Sequence, residues 1–192
     1  DIRMDHAVKV EFDGFIRLTQ QLGGVTVFNP QATVQAPYTF PRGSVTIAGD
    51  EALAFVRERY SLPDGDLGRA ARQRAVVKAI ALKLMRPEVV ANPVTFNEVT
   101  SRLGKNFVVD SGLTNEAMLQ IAISLKVRES ADIESLSAPI LGFESAFGDI
   151  DIVDFAQLHQ LAAALRDDTM DRYQATFGRV PDAVAVDSLG RE

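Results

Sequence analysis

The side chains best placed for chemistry lie between Phe55 and Lys78, in FVRERYSLPDGDLGRAARQRAVVK. Five arginines (Arg57, Arg59, Arg69, Arg72 and Arg74) crowd this stretch of a chain whose formal net charge is -6. Arginine presents a planar fork that stays charged and meets two phosphate oxygens at once. On an acidic protein such a cluster points to a local pocket for a small anionic group rather than to a general polyanion surface. A solvated charged face stitched by salt bridges to Glu58 and Asp66 would use the same residues, and spacing alone leaves both readings open.

The elements that must position these arginines are legible around them. GDEALAFVRERY predicts a helix opening with Asp50 as its N-cap and burying Ala52, Leu53, Phe55 and Val56. Arg57 and Arg59 are two positions apart, so a continuing helix would aim them in different directions. If both serve one ligand, the chain must become extended by about Arg57. SLPDGD supplies the break: Pro63 fixes φ, Asp64-Gly65 favours a turn, and Asp64 and Asp66 fall between the two arginine groups. A longer helix is expected from about Gly68. It sets Arg69, Arg72 and Gln73 on one face and Val76, Val77, Ile80 and Leu84 in an apolar stripe. Arg69 and Gln73 occupy its first turns, where free backbone N–H groups also favour an anion.

R-x-R, a short Pro/Asp/Gly turn and D-x-x-R-x-x-R-Q run through Arg57, Arg59, Asp66, Arg69, Arg72 and Gln73. This arrangement resembles the signature of the LytR–CpsA–Psr phosphotransferases. DHAVKVEFDGFIRLTQQLGGVTV, from Asp5 to Val27, is similar to that family's strand–helix–Gly-Gly–strand block. The later run PILGFESAFGDIDIVDFAQLHQLAAALRDD resembles the longer actinobacterial-type members. The resemblance implies an α/β fold, an α-β-α sandwich with a mixed central sheet flanked by helices. Residues 1–192 would form a single domain, the C-terminal portion of the catalytic domain, with an arginine-rich core at 50–85 and a helical extension at about 150–180. The family's N-terminal half, with further arginines and acidic magnesium ligands, would lie upstream of residue 1 or belong to another chain.

The activity so implied is transfer of a glycan phosphate from a polyprenyl-diphosphate carrier to peptidoglycan. It would take place on the extracytoplasmic face of the membrane, with a membrane anchor outside this chain. A non-catalytic module that binds the lipid diphosphate or a wall polymer is the alternative. In either case Arg57, Arg59, Arg69, Arg72 and Gln73 would hold the diphosphate, with Arg72 instead free to brace the loop. Asp66 and Arg69 would be the catalytic pair. Asp66 would ligate Mg2+ or orient the acceptor hydroxyl, while Asp64 is better explained as a turn residue. A polyprenyl tail also needs an apolar slot, for which Val8, Val10, Phe12, Phe15, Phe55, Val77 and Ile80 are candidates that suit an ordinary core equally well.

Bulk properties agree with one sizeable core. The chain has 192 residues, 46% of them hydrophobic, enough to bury a globular interior. No apolar run approaches the length of a membrane span. Cysteine is absent, which excludes disulfides and thiolate metal sites, and His6 and His159 are too few for a multi-histidine centre. The acidic balance argues against nucleic acid as a partner.

Elsewhere the pattern predicts a strand over Ala7–Phe12, a short helix with Phe12, Phe15, Ile16 and Leu22 ended by Gly23-Gly24, and a strand over Val25–Phe28. A proline-bearing loop or hairpin would follow, with Val45–Gly49 as a possible short strand. Further on come a helix ended by Gly104, an extended Phe107–Asp110, and a helix capped by Thr114 with Ala117, Met118, Ile121 and Leu125 inward. IESLSAPI is expected as a strand and LGFESAFGDIDIV as a loop. A helix capped by Asp154 would then bury Phe155, Leu158, Leu161, Ala162 and Leu165, followed by a helix end and a loose tail.

Overall fold

In the computed structural model the described residues are 2–125, 127, 129–144 and 150–178, and they gather into two compact units. The larger, residues 6–135, carries the arginine stretch. It runs β1 (Val8–Val10), α1 (Phe12–Gln21), β2 (Val25–Asn29), β3 (Thr33–Gln35), β4 (Tyr38–Phe40), β5 (Gly43–Ile47), α2 (Gly49–Arg57) and α3 (Gly65–Leu84). The short α4 (Pro87–Val90), α5 (Pro93–Leu103), β6 (Phe107–Val109) and α6 (Asn115–Leu125) follow.

The α/β class is the one the sequence predicts. The strands meet as antiparallel pairs, β1 with β6, β2 with β5 and β3 with β4. Among the described residues no ladder joins these pairs into the expected mixed central sheet, because each strand is hydrogen-bonded along one edge only. The segment after Asn29, expected as a loop or hairpin with a short strand over Val45–Gly49, holds the paired β3 and β4 and then β5. Its β5 pairs with β2 over five residues, from Val25 opposite Ile47 to Asn29 opposite Gly43.

Alternation along β2 and β5 sends Val25, Val27, Val45 and Ile47 inward. There they meet Ala52, Phe55 and Val56 of α2 and Ala71, Ala75, Val76, Ala79 and Leu82 of α3. The alanines of α3 let that helix lie close against the sheet. Each fully buried Val, Ile or Phe contributes about 1.5–3 kcal/mol. Gly24, with φ 84°, turns the chain from α1 into β2. A side chain there would be strained by the left-handed backbone and would press on Thr46.

Three boundaries differ from expectation. Helix α2 opens at Gly49 with Ala48 at its N-cap position, so Asp50 lies in the first turn and interacts with the helix dipole rather than capping it. Helix α3 opens three residues early, at Gly65, whose φ of 48° ends the preceding turn. Asp66 is therefore a first-turn helical residue and not part of the turn. Helix α6 has its Thr114 cap, with Thr114 Oγ1 accepting from the Ala117 amide, but it buries no side chain completely.

The second unit comprises residues 2–5 with 136–178. β7 (Ile140–Glu144) and β8 (Ile150–Val153) pair antiparallel where a loop was expected, and residues 133–139 are irregular where the strand was expected. Pro139 supplies no backbone N–H, and the ladder that begins at Ile140 carries a register shift between Ile140 and Gly142. Asp154 caps α7 (Phe155–Arg166), accepting from the Gln157 amide at 2.9 Å. Leu161 and Ala164 are buried, whereas Phe155 and Leu165 are exposed. A separate helix, α8 (Met170–Phe177), replaces the expected helix end and meets α7 through the Gln157–Tyr173 hydrogen bond. The tail expected beyond it lies outside the described residues from 179 on.

Candidate active site

The bend between α2 and α3 is built around a buried acid. Glu58 leaves the helix with φ −61° and ψ 131°, so the chain is extended directly after Arg57. Its side chain is only 2% exposed, and Oε1 accepts from the Ser61 amide at 2.9 Å. Burial pushes the Glu58 carboxyl up, but hydrogen bonds from Ser61 and Tyr60 and the Arg72 charge outweigh it, so the pKa falls below the usual value. The Arg59 carbonyl accepts from the Leu62 amide and the Ser61 carbonyl from Gln31 Nε2. The segment carrying Arg59 is thereby fixed at both ends.

Arg72 is the residue whose role the fold changes most. The resemblance offers it either as a diphosphate ligand or as a brace of the loop, and it is 1% exposed. Its Nη2 donates to Asn29 Oδ1 at 2.9 Å and to Thr33 Oγ1 at 2.8 Å. Nη1 reaches the Phe55 carbonyl at 3.5 Å, and the guanidinium lies 4.2 Å from the centroid of the Phe55 ring. Burial lowers its pKa to about 10, with the Glu58 carboxylate pulling in the opposite direction. Arg72 is therefore the brace and not a ligand: its fork ties α3 to β2, β3 and the end of α2. Gln73 is exposed, yet its Nε2 donates to the Val56 carbonyl at 3.2 Å, satisfying a carbonyl at the α2 C-terminus.

The other signature residues face solvent. Arg59 and Arg69, from opposite sides of the bend, both reach Asp66 Oδ1, at 3.8 Å and 2.5 Å. The three side chains are 47%, 33% and 60% exposed, which leaves them accessible. Arg57 is also exposed but turns elsewhere, its guanidinium 5.1 Å from the centroid of the Phe12 ring at the start of α1. Arg59 stacks on Tyr60 at 4.9 Å. Among the described residues no group of three or more histidine or acidic side chains gathers to hold a metal.

An apolar cavity of about 680 Å³ opens in the same unit. Val8 of β1, Ala81 and Leu84 of α3, Phe96 and Leu103 of α5, Phe107 of β6 and Met118 and Ile121 of α6 wall it. Of the seven residues suggested for an apolar slot, only Val8 lines it. Phe55 is fully buried in the core, Phe15 and Ile80 pack against that core, and Val10, Phe12 and Val77 are exposed. The cavity itself was not legible in the sequence, because α5 and α6 come far later in the chain than the arginines and their stripes look like ordinary core. Asp110 holds the start of β1, accepting from the Ala7 amide at 2.8 Å and from the Gly112 amide at 2.9 Å, with Nδ1 of the cavity-lining His6 at 3.3 Å.

Comparison with known proteins completes the picture. The model of the LytR_cpsA_psr family matches residues 1–167. The chain belongs to this family. Within the LytR_cpsA_psr family it is 27% identical over 164 residues to the cell wall biosynthesis protein LcpA of Corynebacterium glutamicum, covering 82% of this chain and 31% of that protein. To the polyisoprenyl-teichoic acid–peptidoglycan teichoic acid transferase TagU of Bacillus cereus it is 30% identical over 136 residues, 70% of this chain and 43% of that one. A solved structure described as TagT bound to LIIa-WTA shares the fold, with a TM-score of 0.63 at 24% identity, covering 88% of this chain and 63% of that chain. The chain thus spans less than half the length of these two curated relatives.

Proposed function

We propose that this chain is part of a phosphotransferase that moves a glycan phosphate from a polyprenyl-diphosphate carrier to peptidoglycan at the outer face of the cell membrane. The observation that carries the reading is the meeting of Arg59 and Arg69 at one oxygen of Asp66. Two guanidiniums from opposite sides of the bend already converge on a point where an anion sits, Arg59 exposed and Arg69 half-buried. The names of the relatives, transferases of teichoic acid and a cell wall biosynthesis protein, support the substrate class.

In this reading Arg59 and Arg69 grip the diphosphate oxygens, and Arg57 receives the lipid-side phosphate above Phe12. The polyprenyl tail runs back along β1 into the apolar cavity. Phe12 stands four residues beyond Val8, about 13 Å along an extended chain, a span an isoprenoid tail bridges easily. An acceptor sugar hydroxyl attacks the phosphorus that bears the glycan. The new P–O bond forms as the bond to the bridging oxygen breaks, and polyprenyl phosphate leaves with that oxygen. Asp66 orients the hydroxyl and takes up its proton. Such transfers are driven by positioning and by neutralising charge on the phosphate oxygens.

Magnesium fits this donor set as a partner of the substrate, because Mg2+ is usually held by one or two carboxylates together with phosphate oxygens and water. Asp66 would be the ligand this chain offers to the ion, as the alternative to its work on the acceptor hydroxyl. When bound, the ion supplies further neutralisation of the phosphate charge. The decisive experiment incubates the protein with a polyprenyl-diphosphate-linked glycan, peptidoglycan and Mg2+, and measures released polyprenyl phosphate. Release that depends on acceptor and Mg2+ supports the transferase. Tight binding with no release would instead favour a carrier of lipid-linked glycans.

A further inference from the structure

Tyr60 follows Arg59 directly and is 87% exposed, more than any other large hydrophobic side chain among the described residues. Single exposed apolar residues are ordinary, and Val94 and Phe155 are examples here. Tyr60 differs from them in its placement. Its ring centroid lies 4.9 Å from the Arg59 guanidinium carbon, within cation–π range, so one face of the ring is oriented by a cation of the anion seat. The backbone beneath it is anchored as well. Glu58 is buried and accepts from the Ser61 amide, and the Ser61 carbonyl accepts from Gln31. A flat, water-facing ring is thus presented from a rigid segment.

We propose that Tyr60 is the platform of a carbohydrate subsite, stacking on the sugar joined to the diphosphate. The inference rests on the reading of the arginines as the diphosphate seat and adds the group that meets the glycan. A pyranose has one face of C–H groups that lies well against an aromatic ring, while its hydroxyls point to water. The sugar hangs from its phosphorus by a single oxygen. A phosphate held by Arg59 therefore delivers its sugar to the ring that Arg59 itself touches. The lipid tail is the other apolar part of the substrate, and its place lies elsewhere. Ala81 of the cavity wall is twelve residues beyond Arg69 on α3, about 18 Å along the helix.

The test measures binding of two probes, a polyprenyl diphosphate carrying a single hexose and the same lipid diphosphate without sugar. Wild type, Tyr60→Ala, Tyr60→Phe and Arg59→Ala are compared. Tyr60→Ala is expected to weaken the glycosylated probe by about five- to tenfold, the scale of one aromatic contact, and to leave the bare probe within about twofold. Tyr60→Phe should follow wild type, and Arg59→Ala should weaken both probes. Equal weakening of both probes by Tyr60→Ala would mean that the ring only steadies Arg59, and no weakening of either would mean that it is idle. Both results overturn the subsite while the diphosphate reading stands. Failure of the wild type to bind the bare probe overturns the arginine reading and the subsite together.

Discussion

Arg72→Ala separates the buried arginine that braces the bend from the arginines left accessible to solvent. The guanidinium is 1% exposed and donates to Asn29 and Thr33 at 2.9 Å and 2.8 Å, with the Phe55 ring stacked at 4.2 Å. A hydrogen bond to a charged group contributes about 1.5–3 kcal/mol, and a desolvated cation–π contact about 2 kcal/mol. Removing one member of a buried charged set costs about 3–5 kcal/mol, because its partners stay dry and unpaired. These contributions overlap, since they share one side chain, so a loss of about 4 kcal/mol is the expected total. Against a typical stability of about 5–15 kcal/mol that is severe. Arg72→Lys keeps the charge but loses the fork that reaches several elements at once, and should cost about 2–3 kcal/mol. The assay is urea unfolding followed by far-UV circular dichroism. With a slope near 2 kcal/mol per M, Arg72→Ala should lower the midpoint by about 2 M. A midpoint within about 0.3 M of wild type would refute the claim that Arg72 is a structural brace.

Four other outcomes are expected. Arg57→Ala and Arg59→Ala, at exposed positions, should change stability by no more than about 0.5 kcal/mol yet weaken binding of a lipid diphosphate at least tenfold; isothermal titration reads the binding, and unchanged affinity would remove them from the site. Asp66→Asn should cut transfer while lipid binding stays near wild type, so full turnover by this variant would end its catalytic role. Ala122→Phe, projecting into the apolar cavity from α6, should weaken a long-chain polyprenyl diphosphate about tenfold and spare geranyl diphosphate; equal affinities for both chains would place the tail elsewhere. Asp110 titrates near pKa 2, held down first by the Ala7 amide and further by His6 and the Gly112 amide. Its carboxyl is more acidic folded than unfolded, so its stabilisation is complete above the unfolded value of about 3.9 and is lost as pH falls through about 2. Acid unfolding of Asp110→Asn should show a shallower pH dependence across that window, and a curve parallel to wild type would contradict the linkage.

The sequence by itself determined the local features of the site. The R-x-R spacing called for an extended chain by about Arg57 if both arginines serve one ligand, and Glu58 is extended. Pro63 and Asp64-Gly65 demanded a turn, and α3 begins where that turn ends. Gly23-Gly24, Thr114 and Asp154 marked element ends correctly because caps and left-handed glycines act through neighbouring backbone groups, which lie within a few residues. The motif itself was sufficient to point to the family.

Tertiary structure alone decided which arginines are buried as scaffold and which stay accessible. Arg69 and Arg72 are the same residue type three positions apart on one helix, yet Arg72 is buried and Arg69 is not. The difference comes from Asn29 and Thr33, about forty residues earlier in the chain, which β2 and β3 bring beneath α3. The apolar cavity was hidden for the same reason. Its walls come from β1, α3, α5, β6 and α6, and an apolar stripe lining a space reads in sequence just like one filling a core. Periodicity reports that a face avoids water; only the packing of distant segments determines what that face meets.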